Sequence, residues 1–304
     1  MTLRDLQMMV TIADEKSISR AAVKLFLAQP ALSQCLRKVE KELGTVVFVR
    51  INTGVVPTEE GEVFLEFARE TLGAKSTMEK KMEDLRTEEH GIIHLGLTGT
   101  QAAYVLPYFL PEFNERHPRV EIILVEASST VVERKLMSGE CDVGILHPPI
   151  LEEGLTVFEL SHDEMVVIPR SRSRFQPYID FQEGERIPYL NIDFLRDEPV
   201  LFTQGDQRSR QISDGIFERA GFLPKIKQIS NHLITLDTLA QVDYGTVLLP
   251  AKQISEPLKR RGYYSLDQRF RPWYPFLVAY RKAAYQTASV YKLLEVLEEK
   301  KGTF

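Results

Sequence analysis

Three short helices closed by a hairpin, one long polar helix, and then strands alternating with helices can be read along the 304 residues. Together they predict an all-α, winged helix-turn-helix N-terminal domain, a long linker helix, and an α/β domain of two Rossmann-like subdomains. The length agrees, at roughly 100–200 residues per domain. The boundaries expected are 1–58, 59–90 and 91–304, with the last divided into a first subdomain (91–163 and 268–304) and a second (164–267).

The first helix follows from Leu3, Leu6, Val10 and Ala13 on one face. Ser17 can cap a second helix through Ala21, Ala22 and Leu25. A third runs from about Gln29 to Leu43, with Leu32, Leu36, Val39 and Leu43 inward, Pro30 in its first turn and Gly44 ending it. Val46, Val47 and Phe48, the turn Asn52-Thr53-Gly54, and Val55-Val56 predict a short hairpin.

Residues 58–88 predict one long helix. Phe64, Ala68, Thr71, Lys75, Met78, Met82 and Leu85 recur at alternating steps of four and three, the coiled-coil period. The seam points to a homodimer through this helix; the alternative is a surface helix packed on its own domain.

From Gly91 onward the pattern predicts strands at 92–97, 120–125, 143–146, 164–168, 200–203, 226–230, 247–249 and 276–280. Helices fall between them, and an amphipathic helix at 286–299 closes the chain. Such alternation implies parallel sheets in a doubly wound arrangement.

Composition excludes several function classes. With 43% hydrophobic and 27% charged residues the chain is an ordinary globular one. No apolar run approaches the ~18 residues of a membrane span, and the N-terminus resembles neither a signal nor a transit peptide. Two cysteines rule out a disulfide framework and a four-cysteine zinc site. A cytoplasmic, reduced protein without a membrane partner is expected. The net charge of −5 argues at first against nucleic acid. Residues 1–58, however, hold eight basic against five acidic side chains, a net +3, while 59–90 carry −5 and the remainder −3. The positive segment is compact and N-terminal, where a small nucleic-acid module could sit.

In a helix-turn-helix the second helix of the motif enters the major groove. With Leu32 and Leu36 inward, Gln29, Pro30, Ala31, Ser33, Gln34, Arg37 and Lys38 are left for the groove side. Gln reads adenine bidentately, Ser reads either kind of base edge, and Arg and Lys reach phosphates. Arg50, Asn52 and Thr53 on the hairpin can form a wing.

These residues carry a resemblance. Ala21-Ala22, Leu25, Gln29-Pro30-Ala31-Leu32-Ser33, Leu36, Glu40, Leu43-Gly44, Phe48, Arg50, Pro57-Thr58 and Gly61 resemble the winged helix-turn-helix of LysR-type transcriptional regulators, without a gap over about sixty residues. Residues 139–145, Ala220-Gly221-Phe222 and 245–250 are similar to that family's effector-binding domain, which is arranged as in periplasmic binding proteins. The resemblance implies a bacterial regulator that binds double-stranded promoter DNA and a small-molecule effector. It further implies a homotetramer rather than a dimer, with RNA polymerase as an additional partner. Two positions depart from the family pattern. Ala28 replaces the usual Ser before Gln-Pro, losing a helix cap of about 1 kcal/mol. Gln34 stands where Arg is frequent, which shifts base preference from guanine toward adenine.

Ligands of doubly wound sheets bind beyond the carboxyl ends of the strands. Three such ends are polar and small: Thr98-Gly99-Thr100-Gln101, Ser128-Ser129-Thr130, and Thr203-Gln204-Gly205. Hydroxyls and free N–H groups at helix starts make a donor-rich anion site, so a small inorganic anion or a carboxylate is expected as effector, with no cofactor. In the resembling family these regions contact the effector, and the Thr-x-Thr-Gln arrangement is similar to that of sulfate- and acetylserine-responsive members. Helix capping alone would select the same residues; convergence of three loops on one cleft favours a ligand. His147 and Phe202 can line the cleft, though His147 also suits a turn before Pro148-Pro149. Arg208 or Arg210 could add charge, against a solvated helix face for either.

Other chemistry finds little support. There is no G-x-S-x-G elbow, P-loop or H-E-x-x-H, and Gly96-Leu97-Thr98-Gly99 is too short for a dinucleotide fingerprint. His90 and His94 are separated by Gly91 and a predicted strand, which disfavours a shared metal. Cys35 and Cys141 read as small core residues rather than redox sensors. The alternatives to a regulator are a stand-alone small-molecule binding protein and, behind it, an α/β enzyme, for which no nucleophile with a nearby base is found.

Overall fold

The computed structural model describes residues 1–84, 91–181, 187–205, 207–270, 272–282 and 284–303. Helix α1 (Leu3–Glu15) opens on a capping box in which Thr2 and Asp5 satisfy each other's backbone N–H. Ser17 caps α2 (Ile18–Lys24), and α3 (Gln29–Leu43) starts at an uncapped Ala28 and stops at Gly44, whose φ is 72°. Strands β1 (Phe48–Ile51) and β2 (Gly54–Pro57) form the antiparallel hairpin. Gly54 needs to be glycine, because at φ 145° a Cβ would lie 2.2 Å from the Lys16 carbonyl. That carbonyl accepts the Val55 N–H at 3.1 Å, which pins the hairpin to the end of α1.

Helix α4 (Glu59–Asp84) follows. Phe64, Leu65, Ala68 and Leu72 are buried in one core with Met9, Ile12, Leu32, Val39 and Val47. The expected seam is therefore corrected: Phe64 and Ala68 are spent inside their own domain. The exposed apolar stripe lies beside them, at Val63 (66% exposed), Phe67 (51%), Met78 (50%) and Met82 (49%). Lys75 is exposed and Leu85 lies outside the described residues. Leu3 and Leu43, expected inward, are also exposed, and the hairpin begins at Phe48 rather than Val46.

The α/β region consists of β3 (Gly91–Leu97), α5 (Gly99–Arg116), β4 (Val120–Glu126), α6 (Ser129–Ser138), β5 (Val143–Leu146), β6 (Leu155–Ser161), β7 (Met165–Ile168), β8 (Ile179–Asp180), β9 (Tyr189–Leu190), β10 (Pro199–Thr203), α7 (Arg208–Ala220), β11 (Lys225–Ser230), α8 (Leu233–Gln241), β12 (Thr246–Pro250), α9 (Glu256–Arg261), β13 (Phe276–Arg281) and α10 (Ala288–Glu299). Two main sheets form, ordered β4-β3-β5-β13-β6 and β11-β10-β12-β7, and β8 and β9 pair as a separate antiparallel ribbon. The chain crosses from the first to the second between β6 and β7 and returns before β13.

Both sheets are mixed, which corrects the all-parallel expectation. β13 runs antiparallel to β5 and β6, and β12 antiparallel to β7. The physical reason is that β6, β7 and β13 are entered without a crossover helix from a sheet neighbour, so the constraint that makes strands parallel is missing. Helices cover both faces. In the first half Phe109, Phe113, Leu293 and Leu297 pack on one face, Val132 and Leu136 on the other. In the second, Ile216 and Phe217 oppose Leu236 and Ala240.

Polar contacts tie the N-terminal part to α6. Asp14 of α1 accepts from Arg134 at 2.8 Å, and the Ser76 hydroxyl donates to the Gly139 carbonyl at 3.0 Å. Lys80 reaches Asp142 at 2.5 Å. No helix among the described residues is long and apolar enough to cross a membrane.

Candidate functional site: a groove-reading face and an inter-subdomain cavity

The outer face of α3 carries Gln29, Pro30, Ala31, Gln34, Arg37 and Lys38 exposed and Ser33 half-buried, while Leu32, Leu36 and Val39 hold the helix to its core. Arg50, Asn52 and Thr53 are exposed on the hairpin. Lys38 donates to Asp5 at 2.8 Å and draws that carboxyl well below the usual carboxylate range. Its charge is therefore already committed within the domain. Cys35 donates to the same carboxylate at 3.3 Å, and burial pushes its thiol up to about 11. Cys141 is buried against Val132 and Leu136, its thiol raised to about 12 for the same reason. Both shifts act against the thiolate, the form that redox chemistry uses.

Between the two halves of the α/β region lies a cavity of about 670 Å³. Thr98, Gly99, Thr100, Gln101, Ser128, Ser129, His147 and Gln204 all line it. Three expected residues do not. Phe202 is packed in the second core, and Thr203 is buried with its hydroxyl 2.8 Å from that of Ser209. Thr130 is half-buried beyond the cavity wall. The strand end alone points to Phe202 and Thr203, but β10 alternates its faces and its last two residues still belong to the sheet.

The N-cap residues of α5, α6, α7 and α8 (Thr98, Ser128, Gln207 and His232) line the cavity together. At Ser128, Gln207 and His232 no side chain caps the first turn, which leaves N–H donors for a ligand. Arg208, expected on a solvated face, is instead buried and spans the cleft. Its Nη2 donates to Glu133 Oε1 at 2.5 Å and its Nη1 to Gln211 Oε1 at 2.7 Å. Glu133 is equally buried, and its other oxygen accepts the N–H groups of Leu151 (2.6 Å) and Glu152 (3.1 Å). The pair joins α6 of the first half to α7 of the second. Tyr104 makes a second bridge, donating to the Gln253 carbonyl at 3.2 Å. Arg210 is half-buried: it lies over the Phe202 ring, donates to the Thr203 carbonyl at 3.3 Å and pairs with Asp214 at 2.7 Å.

His147 Nδ1 lies 2.8 Å from the Pro275 carbonyl, and its ring stacks on Tyr274 with centroids 3.7 Å apart. Burial pushes the imidazole down to about 3. It is thus neutral at physiological pH, with the proton on Nδ1 and a lone pair on Nε2. That Nε2, Gln101 Nε2, Arg208 Nε and Gln253 Oε1 are all buried without a hydrogen-bond partner. Each belongs to a residue lining the same cavity. Four unsatisfied polar atoms on the residues of one cavity wall are groups that a polar ligand or ordered water would pair.

The strand-end rule also points to two regions that the sequence reading does not single out, Asn231-His232 after β11 and 251–253 after β12. Glu133, Tyr104 and Tyr274 have no local signal, since their roles arise only from the approach of the two halves. His94 sits 3.5 Å from Asp142, and His90 lies outside the described residues. Among the described residues no cluster of His, Cys, Asp or Glu could hold a metal ion.

Such a fold, a winged helix-turn-helix followed by a two-lobed binding domain, defines a DNA-binding transcriptional regulator that senses a small molecule. Residues 3–62 match the family model for the bacterial regulatory helix-turn-helix protein of the lysR family, and residues 86–302 that for the LysR substrate binding domain. The chain belongs to the LysR family. It is 28% identical to the HTH-type transcriptional regulator AlsR of Bacillus subtilis (strain 168) over 290 residues, covering 93% of this chain and 91% of that protein. It is 29% identical to the uncharacterized HTH-type transcriptional regulator YcgK of the same organism over 264 residues, covering 82% and 80%. Among solved structures, an H2O2-bound mutant of Corynebacterium glutamicum OxyR superposes with a TM-score of 0.59 at 24% identity, covering 98% of this chain and 92% of that one. Full-length CbnR complexed with its target DNA gives 0.56 at 21%, covering 99% and 100%. The relatives are regulators rather than enzymes, which removes the enzyme alternative.

Proposed function

We propose that a small carboxylate-bearing anion binds the inter-subdomain cavity and thereby shifts the DNA affinity of the N-terminal domain. The observation that carries this is that four residues lining the cavity, Gln101, His147, Arg208 and Gln253, each hold a buried polar atom without a partner. Thr98, Thr100, Ser128, Ser129 and Gln204 complete the ligand set. Gln29, Ser33 and Gln34 read base edges, with Pro30 and Ala31 beside them, and Arg37, Arg50 and Thr53 hold the phosphate backbone. Lys38 acts chiefly by fixing α3 to α1 through Asp5.

The reader corresponds to residues 1–58, the connector to 59–90 and the sensor to 91–304. Two chains pair along the exposed stripe of Val63, Phe67, Met78 and Met82, and dimers assemble to a tetramer. A thermal-shift screen of the full chain against organic acids, sulfur metabolites and inorganic anions tests the sensor, because a tight ligand of the native state raises the melting temperature. Thr100→Val should abolish the ligand's effect on a gel shift with DNA from upstream of the protein's own gene, while leaving DNA binding itself intact. An unaltered ligand effect would dismiss the cavity assignment.

A further inference from the structure

The cavity's unsatisfied atoms differ in kind, and their partners fix which kind each is. Gln101 Oε1 accepts the Thr98 N–H at 2.8 Å, so the free end of that side chain is the amide nitrogen, a donor. Arg208 Nε can only donate. His147 has its proton on Nδ1, facing the Pro275 carbonyl, so its free Nε2 can only accept. With Gln253 Oε1, the residues of this one cavity therefore carry two donors and two acceptors without a partner. The charge around them is also mixed. Arg208 is the one arginine or lysine among the lining residues, and Glu133 already neutralises it. Glu126 and Asp237 line the same space.

From this complementarity, and resting on the reading of the cavity as the effector site, we infer that the effector is a small carboxylate that also carries a hydrogen-bond donor, a hydroxyl or an ammonium. The carboxylate meets Gln101 Nε2, Arg208 Nε and the open helix starts. The donor meets His147 Nε2. A fully ionised oxyanion such as sulfate has no proton to give and would leave the histidine lone pair buried and unpaired. A bare carboxylate fails in the same way. Acidic side chains on the wall add repulsion against a dianion and are compatible with an ammonium.

The test compares matched acids on the full-length protein by calorimetry. Lactate and malate represent hydroxy acids, alanine and aspartate amino acids; propionate and succinate are their counterparts without the donor, and sulfate is the inorganic probe. At least one donor-bearing acid should bind, with its donorless counterpart weaker by about tenfold or more, as expected where a site built to bond an O–H or N–H meets an analogue lacking it. Which arm binds tells hydroxyl from ammonium. His147→Phe keeps a ring against Tyr274 and removes the acceptor, so the preference within the pair should collapse toward unity. Gln101→Leu should weaken both members of the pair alike. If sulfate or a donorless acid binds as tightly as its counterpart, or if no donor-bearing acid binds at millimolar concentration, the ligand class is wrong. If a probe binds and neither substitution changes its affinity, the cavity reading itself is wrong. Should His147→Phe fail to fold, the comparison of paired acids on the unsubstituted protein decides the class.

Discussion

Glu133→Gln keeps the side chain's shape and deletes its charge. In the folded protein Glu133 and Arg208 are buried to 1% and 3% exposure, 2.5 Å apart. Without the carboxylate, the Arg208 guanidinium keeps Gln211 Oε1 as a neutral partner and is otherwise an uncompensated buried cation. Breaking a buried pair in this way costs about 3–5 kcal/mol. Arg208→Gln should cost less, about 2 kcal/mol, because the stranded carboxylate still accepts two backbone N–H groups, from Leu151 and Glu152. The asymmetry is the useful part, since a surface pair would show neither loss. Trp273, the single tryptophan, donates its indole N–H to Gln268 at 2.7 Å just ahead of the return strand β13, and it reports on this domain. Urea unfolding followed by its fluorescence should show the midpoint of Glu133→Gln lowered by roughly 1–2 M, taking a slope of about 2–3 kcal/mol/M. A loss below about 1 kcal/mol, or a larger loss for Arg208→Gln, would refute the argument that this pair braces the cleft.

Other expectations follow from the same geometry. Because the folded pKa of His147 is depressed, its contribution to stability is present above the unfolded value of about 6.5 and is lost as pH falls toward 3, so from pH 7 to pH 5 the wild type should lose about 2 kcal/mol more than His147→Phe. Burial raises Asp163 to about 7, and this group works in the opposite sense, adding stability on acidification; the difference between the two proteins cancels it, and equal pH slopes would count against a buried neutral imidazole. Ser33→Ala and Gln34→Ala should each weaken specific DNA binding by about 1–3 kcal/mol in a titration at fixed salt, with the melting temperature unchanged. Gly54→Ala forces a Cβ against the Lys16 carbonyl and should destabilise the hairpin by about 1–3 kcal/mol, read as a lower melting temperature and weaker DNA binding; a neutral substitution would show that the hairpin is not pinned to α1.

Much of this is written in local sequence. Helix α3 has the bounds that Pro30 and Gly44 impose, and α7 and β5 fall where periodicity places them. Strand ends at Thr98 and Ser128 lead to the cavity because topology obliges those loops to converge there. What escapes is relational. The heptad count selects Phe64 and Ala68, yet it cannot say that α1 claims that face first. Strand direction in β12 and β13 depends on where the chain returns from, which no residue pattern encodes. Arg208 looks like one more basic residue on a polar helix; only the partner from α6, 75 residues away, makes it a buried strut.

Glu133 and Arg134 are neighbours on α6, and they answer to different masters. One grips Arg208 across the ligand cleft, the other grips Asp14 at the end of the first helix of the DNA reader. A single turn of helix thus works as a lever with a hand at each end. A ligand that changed how far the two lobes sit apart would load Glu133, and Arg134 beside it offers a route to Asp14, where Arg69 of the long connector also sits, 3.8 Å away. The traffic runs both ways by thermodynamic necessity: DNA that strains the first helix alters the cleft's hold on its ligand by the same factor. If the ligand shifts DNA affinity as proposed, the promoter is itself an effector of the sensor, and ligand affinity measured without DNA describes only half of the working protein.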